Sequence, residues 1–160
     1  MKSKFKSSAF PFLLILFSSL TNWAQKENKK TIVFVCEHGG ARSTIASLYF
    51  NKLAKENHLE YQSVFRGLSP DSTISKETRN GLAKDSFETA TLSPVALHTS
   101  DVKSDVMLIS LDCKVPSQYL IDKTWNGIPA ISENYVAARN AIVKHLNELI
   151  IELKKQEEVK

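Results

Sequence analysis

Short apolar segments alternate with segments of helical periodicity along this chain. Residues 31–35 are continuously apolar and β-branched, which is typical of a strand buried on both faces, and residues 105–111 have the same character. Residues 61–65 predict a further strand between them, and residues 119–125 a short fourth one.

Three segments predict helices. In the first, after residue 42, the apolar residues fall at helical spacing: Ile45, Leu48, Tyr49 and Leu53. The second is capped by Asp71 or Ser72 and runs to about residue 87. The third is capped by Ser132 and is followed by a charged end over residues 154–160. Its apolar stripe is Tyr135, Ala138, Ile142, Leu146, Leu149, Ile150 and Leu153, with Arg139 among the residues predicted to face water.

Strands that alternate with helices predict an α/β domain, a parallel sheet covered on both faces. Ligands of such sheets bind at the carboxyl ends of the strands. Cys36 follows the first predicted strand and Cys113 the third, so both thiols are expected at that edge.

The first 24 residues predict a secretory signal peptide. Three lysines precede an apolar run over residues 10–20, and Ala24 is the expected cleavage point. The run is too short for a permanent membrane span, and an uncleaved anchor is the alternative. Residues 25–30 then form a tether, residues 31–156 form one domain, and the protein is periplasmic or secreted.

The charge does not predict a nucleic-acid partner. The 160-residue chain has 21 basic and 17 acidic side chains, a net charge of +4. Three of the lysines lie in the leader, which has no acidic residue, so the mature part is close to neutral. It contains no block of basic residues with interleaved aromatic ones, and no membrane partner is expected after cleavage.

The loop after the first strand has the composition of an oxyanion site. Gly39 and Gly40 allow its backbone to curl, so that successive N–H groups point inward at the start of a helix. Arg42 can bind two oxygens of an anion at once, and this positive field favours the thiolate of Cys36. The Ser43 hydroxyl is placed to hydrogen-bond the sulfur. Cys36 is therefore predicted to be a nucleophile facing a tetrahedral oxyanion.

Each of these residues also has a simpler interpretation. Two cysteines in an exported protein can form a structural disulfide, and Cys113 can be a packed core thiol. Ser43 can cap the helix, since it lies in its first turn. His38 is expected to face solvent, and the charge of Glu37 is expected to point away from a bound anion.

The pattern C-x5-R-S after an apolar strand, FVCEHGGARS, resembles the low-molecular-weight protein tyrosine phosphatase family, which includes thioredoxin-coupled arsenate reductases. The resemblance covers about residues 31–153, through Arg66-Gly67 before Pro70, a strand ending near Cys113, and the region of residues 125–130. It implies a four-stranded parallel sheet with helices on both faces, flavodoxin-like in strand order.

The resemblance also implies roles for the loop residues. Cys36 is the nucleophile that forms a cysteinyl-phosphate, Arg42 is the phosphate clamp and Ser43 is the thiolate partner. The phosphate cradle consists of the backbone N–H groups of Glu37, His38, Gly39, Gly40, Ala41 and Arg42. No metal or cofactor is implied. The expected substrate carries phosphate, as a phosphotyrosine protein does, or is arsenate.

The sequence departs from the family pattern in three places. Gly39 replaces the asparagine that braces the family's loop. Residues 126–129 read Asn-Gly-Ile-Pro and lack the aspartate that protonates the leaving oxygen, a loss of about 10²–10⁴ in rate. The nearest carboxylates in sequence, Asp122 and Glu133, are out of register. Ala130 and Ile131 stand where phosphatases carry the aromatic residues that bind a phosphotyrosine ring.

Three hypotheses follow: a cysteine-dependent phosphatase, an arsenate reductase, or an oxyanion-binding module of weak activity. In the family's arsenate reductases a cysteine near Cys113 attacks the first one, and a third cysteine takes over. Leu120 stands near the place of that third cysteine. Reduction of arsenate would therefore use Cys36, Cys113 as the resolving cysteine, and an external thiol.

Overall fold

Four parallel strands form one sheet in the computed structural model, which describes residues 29–158. The predicted leader, residues 1–24, lies outside the described residues. The strands are β1 (Lys30–Cys36), β2 (Tyr61–Gly67), β3 (Val106–Leu111) and β4 (Lys123–Trp125), in the spatial order β2-β1-β3-β4. This confirms the predicted four-stranded parallel α/β fold.

The register of β1 with β2 determines where the site lies. Their pairing runs from Lys30 opposite Tyr61 to Cys36 opposite Gly67, so the two strands end level with each other. β3 pairs with the other side of β1 and ends at the same edge. The loops that leave this carboxyl edge are therefore neighbours, as the sequence predicted.

Three helices pack on one face of the sheet: α1 (Arg42–Glu56), α2 (Lys76–Lys84) and α3 (Tyr135–Glu158). The largest buried side chains of that layer include Phe34, Phe50 and Leu146. The opposite face, around Val33 and Val35, is covered by loop residues such as Leu97 and Val115, so the expectation of helices on both faces is met on one face only. No helix within residues 29–158 is long and apolar enough to cross a membrane.

α2 begins later and ends earlier than predicted. Its cap is Ser75, whose side chain accepts a hydrogen bond from the Thr78 N–H at 3.1 Å, and its last residue is Lys84. Asp71 does not start the helix, because its N–H donates to the carbonyl of His38 at 3.1 Å. Residues 71–75 thus run as an irregular segment beside the loop that follows β1, where the Asp71 and Ser75 N–H groups donate to its carbonyls.

α3 also differs from the prediction at both ends. The Asn134 side chain, not that of Ser132, caps it by accepting from the Ala137 N–H at 2.9 Å. The helix continues to Glu158, through most of the segment predicted as a charged end. The predicted apolar stripe is confirmed, with Tyr135 half-buried and the other six residues buried.

Asp85 joins the three helices. Its carboxylate accepts hydrogen bonds from the hydroxyls of Tyr49 (2.8 Å) and Tyr135 (2.7 Å) and from Arg139 (2.9 Å), so Arg139 does not simply face water. Burial opposes the charge, but these bonds hold the pKa of Asp85 below its ordinary value, while burial and Asp85 raise the pKa of Tyr49 to about 12. The contribution of Asp85 to stability is present above its unfolded pKa and is lost as the pH falls through the native one.

Gly81→Ala is expected to destabilise the protein, although alanine normally favours a helix interior by about 1 kcal/mol. A Cβ on Gly81 would overlap the ring of Tyr135, which would have to move and give up its hydrogen bond to Asp85. We expect a loss of about 1–3 kcal/mol in the free energy of unfolding, measured by urea denaturation. Asn80→Ala, on the exposed side of the same turn, is the control and should be neutral or stabilising; equal behaviour of the two variants would contradict the prediction.

Candidate active site

The carbonyl groups of residues 36–40, at the end of β1 and in the loop before α1, all accept hydrogen bonds from outside the loop. Five hydrogen bonds to these carbonyls come from the residues after β2 and from α1. They run from Leu68 N–H to Cys36, Ser69 N–H to Glu37, Asp71 N–H to His38, the Thr44 hydroxyl to Gly39, and Ser75 N–H to Gly40, at 2.8–3.1 Å. Because the carbonyls face outward, the N–H groups of this curled loop face inward.

These inward N–H groups form the predicted nest. Within the described residues, no N–H group of residues 37–41 donates a hydrogen bond. They converge at the N-terminus of α1, where the helix dipole adds to their positive field. An oxyanion is the ligand that such an arrangement binds.

Two glycines in contact allow the loop to adopt this shape. Gly39 has φ +65°, a left-handed conformation that suits glycine, and a Cβ on it would lie 2.9 Å from the Gly67 nitrogen. A Cβ on Gly67 would lie 2.8 Å from the Gly39 nitrogen. Gly40 has no positive φ and serves instead for close approach, since its Cβ would lie 3.0 Å from the Thr73 carbonyl oxygen.

Cys36 is buried at the end of β1, and its Sγ lies 3.2 Å from the Ser43 Oγ. The Ser43 hydroxyl also lies 3.2 Å from the Arg66 carbonyl, to which it can donate. In the thiol form, Cys36 donates to Ser43 and Ser43 to Arg66; in the thiolate form, the Ser43 hydroxyl turns to the sulfur. α1 has no side-chain cap, so the capping interpretation of Ser43 is wrong.

Arg42 begins α1 and extends toward the turn after β4. Its Nη2 donates to the Ile128 carbonyl at 3.2 Å, and its Nε lies 3.5 Å from the Asp112 Oδ2. Among residues 29–158, this Nε is the only buried side-chain nitrogen or oxygen without a hydrogen bond. The guanidinium therefore lies at the end of the loop with its hydrogen-bonding capacity only partly used, as a group that binds an oxyanion requires.

Asp112 is the carboxylate at the site that the sequence reasoning missed. It accepts hydrogen bonds from the N–H groups of Gly127 (2.8 Å) and Ile128 (2.9 Å). Its position directly after a predicted strand, at the ligand-binding edge, was the available signal. Asp122 lies instead at the amino end of β4 and accepts from the Leu108 N–H at 2.8 Å, and Glu133 is exposed.

Cys113 lies against the same edge but is not bonded to Cys36, since both are free thiols, and the structural-disulfide interpretation is therefore wrong. Its Sγ donates to the Val35 carbonyl at 3.5 Å. Burial, and next the nearby Cys36, raise the pKa of Cys113 to about 11. The thiol is therefore protonated at neutral pH and a weak nucleophile in this arrangement.

The remaining loop side chains face solvent. The His38 Nδ1 lies 3.5 Å from the Asp71 Oδ1, with both side chains more than half exposed, and Glu37 is exposed as well. Both agree with their simpler interpretations. Within the described residues, neither side chain forms a hydrogen bond or ion pair with Cys36 or Arg42.

The fold is the one shared by low-molecular-weight protein tyrosine phosphatases and arsenate reductases. The chain is similar to an arsenate reductase from Archaeoglobus fulgidus (18% identity, TM-score 0.57, covering 74% of this chain and 98% of that one). It is similar to a low-molecular-weight protein tyrosine phosphatase from T. tengcongensis (20% identity, TM-score 0.58, covering 80% of this chain and 99% of that one). It is also similar to a mutant of the YwlE arginine phosphatase (15% identity, TM-score 0.64, covering 81% of this chain and 99% of that one). A YwlE mutant from Bacillus subtilis is a further structural match. No protein-family model matches the sequence, and no match to a curated protein is significant.

Proposed function

We propose that this protein is an exported, cysteine-dependent phosphatase that hydrolyses phosphomonoesters through a cysteinyl-phosphate. The observation that carries the proposal is the loop itself. The carbonyls of residues 36–40 all accept hydrogen bonds from outside the loop, its N–H groups face inward between Cys36 and Arg42, and the Arg42 Nε is buried without a hydrogen bond. This arrangement stabilises charge on three phosphoryl oxygens.

The reaction has two displacements. The Cys36 thiolate attacks phosphorus in line, so that an S–P bond forms as the bond to the leaving oxygen breaks. Water then attacks the cysteinyl-phosphate, releasing phosphate and the thiolate, to which the Ser43 hydroxyl donates. Arg42 and the loop N–H groups bind the equatorial oxygens in both steps.

Among the residues that the structure describes, the loop and the turn after β4 offer no acid for the leaving group. Residues 126–129 carry no carboxylate, and both oxygens of Asp112 accept hydrogen bonds from backbone N–H groups. The leaving oxygen must therefore take its proton from solvent. Aryl phosphates have a stable phenolate as their leaving group, so the missing acid slows their hydrolysis least. A phosphotyrosine side chain belongs to this class.

Reduction of arsenate is the second candidate, because Cys113 lies beside the strand that ends in Cys36. Cys36 would displace water from arsenate, and attack of Cys113 on the Cys36 sulfur would form a disulfide and release arsenite, the arsenic gaining two electrons. An external thiol would reduce the disulfide. The pKa of Cys113, raised to about 11 by burial, favours the phosphatase.

Hydrolysis of p-nitrophenyl phosphate and of glycerol phosphate by the reduced protein tests the proposal. We expect turnover of the aryl ester at least about 10²-fold faster than of the alkyl ester, competitive inhibition by inorganic phosphate, and full activity of Cys113→Ser. If the aryl ester is not hydrolysed but arsenate is reduced with an external thiol, and Cys113→Ser abolishes that reduction, the protein is an arsenate reductase. Phosphate binding without either reaction would leave the oxyanion-binding module.

Export rests on the predicted leader, residues 1–24. We propose that the mature chain begins at Gln25, in the periplasm or outside the cell. The N-terminal mass of the protein recovered from those fractions tests this, and an intact leader on a cytoplasmic protein would refute it.

A further inference from the structure

Asp112 has a strained backbone that no helix end explains. Its φ is +45°, a left-handed conformation that costs a non-glycine residue about 1–2 kcal/mol. His58 and Ser86 also have positive φ, but each lies directly after a helix cap, where left-handed residues are common. Asp112 follows a strand, so something else must hold it.

Hydrogen bonds across the carboxyl edge hold Asp112 in place. Its carboxylate accepts from the N–H groups of Gly127 and Ile128 at 2.8 and 2.9 Å, and its own N–H donates to the Trp125 carbonyl at 2.9 Å. These bonds join the end of β3 to the turn that follows β4. The turn therefore depends on this one carboxylate.

The same carboxylate contacts Arg42, the predicted phosphate clamp, both directly and through Ile128. Directly, its Oδ2 lies 3.5 Å from the Arg42 Nε. Indirectly, it fixes Ile128, whose carbonyl accepts from the Arg42 Nη2 at 3.2 Å. Both protein contacts that orient this guanidinium therefore run through Asp112.

We propose that Asp112 is a positioning residue, which holds Arg42 over the loop so that the clamp is ordered before an anion arrives. Preorganised donors require no reorganisation during the reaction. A fixed carboxylate beside the clamp also repels a bound anion. Loss of Asp112 should therefore slow turnover without weakening the binding of phosphate, a combination that simple unfolding of the site does not produce.

Two variants separate orientation from strain. Asp112→Gly removes the carboxylate and tolerates the left-handed backbone, and Asp112→Asn keeps an acceptor but removes the charge. The matched control is Asp122→Asn, because Asp122 also accepts from a backbone N–H but lies at the amino end of β4. The full protein is used throughout, with inorganic phosphate as the binding probe.

The first readout is the NMR signal of the Arg42 Nε–H, which does not depend on activity. In the wild type this buried group should exchange slowly with water. In both Asp112 variants we expect exchange at least about tenfold faster, with Asp122→Asn unchanged. Unchanged exchange in both Asp112 variants would overturn the proposal.

The kinetic readout rests on the proposed function. We expect kcat for p-nitrophenyl phosphate to fall about 10- to 100-fold in both Asp112 variants, with the dissociation constant of phosphate equal or lower. A wild-type kcat, or a loss of phosphate affinity as large as the loss of kcat, would overturn the proposal. If the wild type shows no turnover, the proposed function fails, while the exchange measurement still decides the role of Asp112.

Discussion

Cys36→Ser is expected to abolish hydrolysis of p-nitrophenyl phosphate, with kcat lower by about 10⁴–10⁶. A serine hydroxyl is not ionised at neutral pH and has no general base beside it, because the Ser43 hydroxyl, whose oxygen lies 3.2 Å from the Cys36 Sγ, is too weak a base to take its proton. The loop N–H groups and Arg42 are unchanged in this variant. Inorganic phosphate should therefore still raise its melting temperature.

Cys113→Ser is the matched control, because it also replaces a sulfur by an oxygen. The Cys113 thiol lies at the same edge of the sheet, and in the proposed mechanism it does not attack phosphorus. It should retain wild-type kcat. Activity of Cys36→Ser above about 1% of the wild type would show that the sulfur is not the nucleophile. Loss of phosphate binding together with activity would show instead that Cys36 supports the loop.

The sequence predicted the first part of the site because its chemistry is local. Strand, loop and helix follow each other without interruption, so the position of Cys36 before the loop and of Arg42 after it follows from chain order alone. The left-handed conformation of Gly39 also agrees with the curl that was expected of the loop. Parallel pairing then places Cys113 at the same edge without further information.

The parts that could not be predicted depend on contacts between distant segments. Gly67 and Gly39 are separated by 28 positions, and nothing in either local pattern shows that their backbones touch. The outward carbonyls of the loop require the N–H groups of residues 68–75, which is also why α2 begins at Lys76 and not earlier. The position of Asp112 after a predicted strand could be seen in the sequence, but its partners could not, since they lie after a different strand.

Arg42→Lys is expected to lower kcat/KM for p-nitrophenyl phosphate by about 10²–10³. Lysine keeps the positive charge on a single ammonium group. The guanidinium donates through Nη2 to the Ile128 carbonyl, faces Asp112 with its Nε, and has further N–H groups for the anion. An ammonium group cannot make all of these contacts. We expect weaker phosphate binding and slower turnover, because the fork contacts the equatorial oxygens in the ground state and in the transition state.

Arg79→Lys is the control for this change, because the Arg79 guanidinium donates to the Thr89 carbonyl at 2.9 Å and does not contact the loop. It should leave kcat/KM within about twofold of the wild type. A wild-type kcat/KM in Arg42→Lys would show that charge alone suffices and that the geometry of the fork is irrelevant. An equal loss in both variants would assign the effect to stability, which the melting temperatures measure directly.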